Sequence, residues 1–335
     1  MDSMRDVILN QPEQITHSLE VNQDVRLNSP DIDGIILAGM GGSGHPGDLI
    51  NALNLTTVPL LVHRDYGLPE IYFENPLIII SSYSGNTEEA ISAYQAARAA
   101  GYQILINTSG GQLKNLAERH QNPLSLIDYP GMQPRHTLFA SFTGLYLALK
   151  NSGLAKDINS DLIRVATILA TQIPSLETPA QKLAAQLRDT VPIFTSSENL
   201  GFAAKNFKIQ TNENAKYPAF WNTFPELNHN ELIGMSQLKN LNNPNKFHVV
   251  MLLDSNDHPR VKIRMRVTSD LYKQWGATVN DFSVQGQSLL EKIFYAVTFG
   301  LWTTMFLAES YGLDPVPVAG VEDFKKKLEE LAGKI

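Results

Sequence analysis

The sequence predicts an α/β chain built from two parallel sheets, each flanked by helices. Three observations carry that expectation. Apolar runs such as Leu77-Ile78-Ile79-Ile80 alternate with helical stretches at the spacing of β-α-β units. Two of these runs break abruptly into small-residue turns, Gly39-Met40-Gly41-Gly42-Ser43-Gly44 and Ser82-Tyr83-Ser84-Gly85-Asn86-Thr87. After a helical middle, the order of apolar strand, small hydroxyl residues and helix returns at Val191-Pro192-Ile193-Phe194-Thr195-Ser196-Ser197. At 335 residues the chain has room for two domains. They are expected at 1–153, with an N-terminal helical arm, and at 154–335, with a C-terminal helical tail.

Taken in order, residues 1–30 read as the helical arm and 34–38 as the first strand. A helix is expected at 48–53, a second strand at 58–62 and a third at 76–80. Thr87 is placed to cap the next helix, with Glu88 and Glu89 in its first turn and Gly101 as its stop. Strands at 103–107 and 124–127, a helix at 113–120 and an apolar helix at 139–150 complete the first unit. Two helices, 162–173 and 179–188, are expected on either side of the softer Pro174-Ser175-Leu176-Glu177-Thr178. The second unit opens with a strand at 191–197 and a helix reaching about residue 216. Strands at 247–253 and 278–284 follow, separated by a helix at 259–275. A long apolar helix at 289–311 and a last helix at 321–332 close the chain.

Composition narrows the function. The 27 basic residues are outnumbered by 34 acidic ones, and they are scattered apart from Lys325-Lys326-Lys327, which argues against a nucleic-acid partner. Cysteine is absent, which excludes disulfides and thiolate chemistry and fits a reducing compartment. The longest apolar run, 293–308, is shorter than the roughly 20 residues of a bilayer span and reads as a buried core helix. Met1-Asp2-Ser3-Met4-Arg5-Asp6 lacks the pattern of a secretory signal, so a cytoplasmic protein without a membrane partner is expected.

Both Gly/Ser turns stand where open parallel sheets bind ligands, beyond the carboxyl ends of strands. Glycine lets a ligand approach the backbone, and hydroxyls with free N–H groups at a helix start donate to phosphate oxygens. Ser43 supplies one hydroxyl, and Ser82, Ser84 and Thr87 supply three more. A nucleoside-triphosphate loop is not matched, because Gly-x-x-x-x-Gly-Lys is missing. Gly39-x-Gly41-x-x-Gly44 fits a dinucleotide fingerprint by pattern alone, with only Asp65 to serve as the acidic partner. An ordinary Ser-rich loop is the competing reading, and it weakens when two such loops occur in one sheet.

The other dense stretch pairs Asn212-Glu213-Asn214-Ala215-Lys216 with Phe224-Pro225-Glu226-Leu227-Asn228-His229-Asn230-Glu231. It is polar, yet carries Tyr217, Phe220, Trp221 and Phe224. Glu213 is a candidate general base and His229 a candidate acid/base group; a surface or capping role competes for each. His229 and Glu231 are too few ligands for a metal site. Arg135 follows the fifth strand, with a surface ion pair as its default reading, and Lys325 reads by default as part of a solvated helix face.

These motifs, with Pro134-Arg135 and Asp314-Pro315-Val316-Pro317-Val318 ahead of Lys325, resemble the sugar isomerase (SIS) superfamily. More closely they resemble its bifunctional phosphoglucose/phosphomannose isomerase branch, along nearly the whole chain. The resemblance implies two SIS domains and an aldose–ketose isomerase of hexose 6-phosphates, working through a cis-enediolate with no metal or other cofactor. It implies that Gly41, Gly42, Ser43, Ser82, Ser84 and Thr87 hold the sugar phosphate. It gives Glu213 the proton transfer between C1 and C2, Arg135 the enediolate charge, and His229 and Lys325 the ring opening. It also implies a homodimer, with His229 reaching the site from the partner. His45-Pro46 departs from the apolar-small pair expected after the first turn, and Asn206 stands where a basic residue is expected. A non-catalytic sugar-phosphate sensor and an isomerase of another phosphosugar are the alternatives.

Overall fold

The computed structural model describes residues 3–27 and 31–332; Met1, Asp2 and 28–30 of the expected arm and 333–335 of the expected tail lie outside the described residues. The chain divides into two compact units. Leu9–Ile173 and Gly286–Phe294 belong to the first, and Ser3–Ile8, Pro174–Gln285 and the residues from Tyr295 onward to the second. The arm is helical, as α1 (Met4–Leu9) and α2 (Gln11–Val21). Within the first unit, Gln14 of α2 donates to the His136 carbonyl at 2.8 Å, and the Asn22 side chain accepts from the Leu126 N–H at 2.7 Å.

The first unit continues through β1 (Gly34–Ala38), α3 (His45–Ala52), β2 (Leu60–His63), β3 (Pro76–Ser81) and α4 (Glu88–Ala99). It then runs through β4 (Gln103–Thr108), α5 (Gly111–His120), β5 (Leu124–Leu126) and α6 (Leu138–Asn151). Its strands pair in the order β2-β1-β3-β4-β5, all parallel. β1 and β3 are buried along their whole length, which is why they read as uninterrupted apolar runs. Ile36, Ile78, Ile80 and Ile106 pack with Ala90, Ala93, Tyr94 and Leu113 in one core cluster.

α7 (Asn159–Leu187) corrects the sequence expectation of two helices: it is continuous, with Pro174 and Pro179 inside it. Each proline removes one backbone donor and disfavours the helix. The buried stripe of Leu162, Val165, Leu169, Ile173, Leu176, Ala180, Leu183 and Leu187 runs straight through both, and its burial offsets that cost. The division between the units falls inside this helix, at Ile173/Pro174, whereas the sequence suggested 153/154.

The second unit comprises β6 (Val191–Ser197), α8 (Gly201–Glu213), β7 (Phe220–Phe224), α9 (Glu231–Met235), β8 (Phe247–Leu253), α10 (Pro259–Gln274) and β9 (Thr278–Ser283). α11 (Leu289–Ser310) begins in the first unit and continues in the second, and α12 (Ala319–Ala332) follows. The sheet order is β7-β6-β8-β9, again all parallel. β7, in the aromatic-rich stretch to which the sequence reading assigns no strand, is its edge strand.

In each sheet the chain turns one way after its first strand and then crosses back. The reversal lies between β1 and β3 in the first unit and between β6 and β8 in the second. Such a reversal opens a crevice at the carboxyl ends of the strands. Both Gly/Ser turns leave the strands that border the crevice of the first unit.

Candidate active site

In the first unit the two turns are tied together. The Tyr83 N–H donates to Ser43 Oγ at 2.9 Å, so the Ser43 hydroxyl still has its own proton to donate outward. Tyr83 also accepts, through its carbonyl, from Ser109 Oγ at 2.7 Å. Its phenol donates to the Tyr129 carbonyl at 2.6 Å and accepts from the Met132 N–H at 2.8 Å. Tyr83 thus joins both turns to the segment leading to Arg135. Burial is the main cause that raises its pKa, so the phenol stays a neutral linker.

Ser82 is fully buried. Its hydroxyl pairs with Thr87 Oγ1 at 2.8 Å and accepts from the Gly85 N–H at 3.1 Å. Thr87 occupies the cap position of α4 as expected, but its side chain makes no cap hydrogen bond. The first-turn N–H groups of α4 therefore face their crevice without a side-chain cap, the arrangement that receives an anion. α3 likewise has Gly44 at its cap position, with no side-chain cap. Ser84 is exposed, and its Oγ accepts from the Asn86 N–H at 3.3 Å. Gly85 has φ +67°, and a Cβ there would stand 1.9 Å from the Gly110 carbonyl oxygen, so only glycine closes this loop.

Arg135 is 7% exposed, which overturns its default as a surface ion-pair residue. It lies in a short 3-10 turn, Pro134–Thr137. A Cβ on Gly42 would stand 3.0 Å from the Arg135 nitrogen and 3.1 Å from the Pro134 carbonyl carbon, so the first turn and the arginine segment are packed backbone to backbone. Arg64 went unnoticed in the sequence. It follows β2, pairs with Asp48 at 2.6 Å, and its guanidinium would stand 3.3 Å from a Cβ on Gly44. Its place at a strand's carboxyl end was the signal that would have found it.

In the second unit Glu213 is the last residue of α8 and is half-buried. It lines a cleft of about 610 Å³ with Asn212, Lys216, Tyr217, Leu313 and the segment from Pro317 to Val321. Tyr217 stacks on Tyr311 at 5.5 Å. Asn214, fully buried, donates to Thr304 Oγ1 at 3.0 Å and anchors the helix end. Lys325 is exposed on α12, one turn beyond Val321 and on the same side of the helix. Val321, Phe324, Leu328 and Leu331 are exposed apolar residues of that helix, so Lys325 lies on an exposed face, as the sequence suggested, beside apolar side chains.

His229 is exposed in the turn Glu226–His229, beyond the carboxyl end of β7. Glu213 precedes that strand, at its opposite end. β7 is parallel to β6, and its residues span about 17 Å at ~3.3 Å each. One copy of the second unit therefore does not bring Glu213 and His229 together. Glu231, next to the histidine, accepts from Asn222 Nδ2 at 2.9 Å and from the Tyr272 hydroxyl at 3.2 Å, a structural role. Asn206 is buried in α8, in the place expected to hold a basic residue.

The fold is shared with the crystal structure of hypothetical protein TT0462 from Thermus thermophilus, at a TM-score of 0.77 and 18% identity over 97% of this chain and 89% of that one. The family description "bacterial phospho-glucose isomerase C-terminal SIS domain" matches residues 176–328. Paired parallel sheets with a Gly/Ser cradle at a strand-order reversal define a sugar isomerase (SIS) domain protein. The chain is 36% identical, over 98% of its length and 99% of the relative, to a bifunctional phosphoglucose/phosphomannose isomerase of Caldicellulosiruptor bescii. It is also 35% identical, over 61% of its length and 66% of the relative, to a D-glucosamine-6-phosphate 4-epimerase of Sulfolobus acidocaldarius. The chain belongs to the bifunctional phosphoglucose/phosphomannose isomerase family.

Proposed function

We propose that the chain interconverts glucose 6-phosphate and mannose 6-phosphate with fructose 6-phosphate through a cis-enediolate. The observation that carries this reading, beside the family, is the cradle. Uncapped α4 N–H groups, an outward Ser43 proton and the buried Arg135 converge at one crevice of the first unit. Gly41, Gly42, Ser43, Ser84 and Thr87 are assigned to the phosphate, and Ser82 shapes the loop from inside. The open-chain aldose carries an acidic hydrogen at C2, next to its carbonyl. Glu213 removes it and returns it to C1, while Arg135 stabilises the charge that develops on the oxygens. The two aldoses differ only at C2, which is planar in the enediolate, so one site serves both.

His229 and Lys325 are assigned to ring opening, with His229 supplied by a second copy of the chain. Two features support a homodimer: the separation of Glu213 from His229 by the length of β7, and the uncovered apolar stripe on α12 around Lys325. Among the described residues, no helix is long and apolar enough to cross a membrane. A charged hexose phosphate and the lack of cysteine both suit a cytoplasmic site of action.

A second reading, epimerisation of an amino-sugar phosphate, is favoured by the partial match to the Sulfolobus protein. Product analysis decides between them. Glucose, mannose and glucosamine 6-phosphates and arabinose 5-phosphate are offered in parallel. Fructose 6-phosphate is expected from the first two. Epimerised glucosamine 6-phosphate with no ketose would instead establish the second reading. Glu213→Gln is expected to lower kcat by about 10²- to 10⁴-fold while inorganic phosphate still binds. Full activity in that variant removes Glu213 as the base.

A further inference from the structure

We propose that Lys216 is a positioning residue that fixes the wall of the Glu213 cleft formed by the 314–318 segment, and through it the helix bearing Lys325. The inference rests on the isomerase reading above. Lys216 has φ +54°, the left-handed region that a side chain with a Cβ adopts only at a cost. Glycine or asparagine would adopt it more readily. What offsets that cost is the reach of the lysine side chain. The ammonium donates to the Asn214 carbonyl at 3.0 Å and to the Asp314 carbonyl at 2.6 Å.

Those two carbonyls belong to different segments beside the cleft, the end of α8 and the stretch before α12. Asn214 directly follows Glu213 at the end of α8, and its side chain is anchored on Thr304. Asp314 opens the segment that leads into α12, and its carboxylate accepts from the Val316 N–H at 2.9 Å. The same segment, from Pro317 to Val321, lines the cleft with Glu213. A charge-assisted bridge is stronger than a neutral one, and here it spans a rigid helix end and a stretch without regular structure. The Tyr217–Tyr311 stack is a second contact beside the cleft, made by side chains alone. The ammonium ties backbone to backbone. Releasing it frees Pro317 to Val321 to swing, taking Lys325 with them, while Glu213 stays in place.

The test compares wild type, Lys216→Met and Lys216→Arg by kinetics and by amide hydrogen exchange. Lys216→Met keeps the length of the side chain and removes the donors. Its kcat is expected to fall about ten- to hundredfold with KM for glucose 6-phosphate within about twofold, as for misplaced reacting groups with an intact phosphate cradle. Exchange across 313–321 is expected to quicken at least about tenfold, with α8 unchanged. Lys216→Arg, which keeps donors for both carbonyls, is expected to restore most of both. Wild-type kcat in Lys216→Met overturns the proposal. So does exchange that rises throughout the second unit, or an arginine variant as impaired as the methionine one. If wild type turns over none of the offered sugar phosphates, the isomerase reading falls, and the exchange measurement still decides whether Lys216 holds the cleft wall.

Discussion

Ser43 shows how a side chain works in this cradle. By accepting from Tyr83, its oxygen is fixed while its proton stays available, so the hydroxyl is oriented before any anion arrives. Ser82, five residues from Thr87, does the reverse: both of its hydrogen bonds turn inward, and it shapes the loop without meeting solvent. Gly42 supports Arg135 by lacking a Cβ. Gly42→Ala places a methyl group against backbone that has no slack. It is therefore expected to displace Arg135 and lower kcat by about tenfold or more, with a smaller effect on KM, measured by steady-state kinetics. The sequence carried both loops plainly, because strand, small residues and helix lie next to each other in the chain. It did not distinguish an inward from an outward serine, which depends on contacts across forty residues, as between Ser43 and Tyr83. Arg64 was hidden for the same reason, since its neighbour Gly44 belongs to another β-α turn.

At the level of elements, local rules failed where packing opposed them. Pro174 and Pro179 read as breaks, yet α7 continues because its buried stripe keeps a helical period through both. β7 was missed because an edge strand needs little alternation: Phe220 and Trp221 are both exposed, so no inside-outside pattern marks it. The interior strands of both sheets were legible, being apolar on both faces. One of them carries an unusual group. His248 on β8 is buried, with Nδ1 at 3.2 Å from the Gln186 carbonyl and Nε2 against Asn280 Oδ1. Burial lowers its pKa below 6.5, and the two hydrogen bonds only partly oppose that. The folded chain thus takes up this proton less readily than the unfolded one. The stabilising contribution is full above about pH 6.5 and is lost as pH falls toward the folded value. Between pH 7.5 and about pH 5.5 the thermal midpoint of wild type is expected to drop further than that of His248→Gln, as followed by circular dichroism.

The whole molecule repeats one topology and uses it unequally. The second unit has the same strand-order reversal, but Glu198, Asp254 and Asp257 occupy the turns after β6 and β8. Asp254 and Asp257 are buried, and burial raises the Asp257 pKa despite its contacts with Ser197 and Asn199. A crevice walled by carboxyl groups disfavours phosphate, which leaves the first unit's crevice as the proposed cradle. The duplication was readable as a recurring order of elements. The inequality was not, because it lies in which side chains the turns carry inward. The proposed homodimer makes a prediction at this scale. Mixing separately inactive Glu213→Gln and His229→Ala chains under subunit exchange is expected to restore about a quarter of wild-type activity. Half of random pairs are mixed, and each mixed pair has one intact site of two. No recovery on mixing would place both residues in a single chain's site.

The polarity of β7, with Glu213 before the strand and His229 after it, reaches beyond geometry. Under the proposed pairing, catalysis is a property of encounter: specific activity is expected to fall on dilution below the dissociation constant of the pair. A defective copy also silences a site to which its sound partner contributes. In a mixed pair carrying one such lesion the other site stays intact, so a defective copy costs half of the pair's activity.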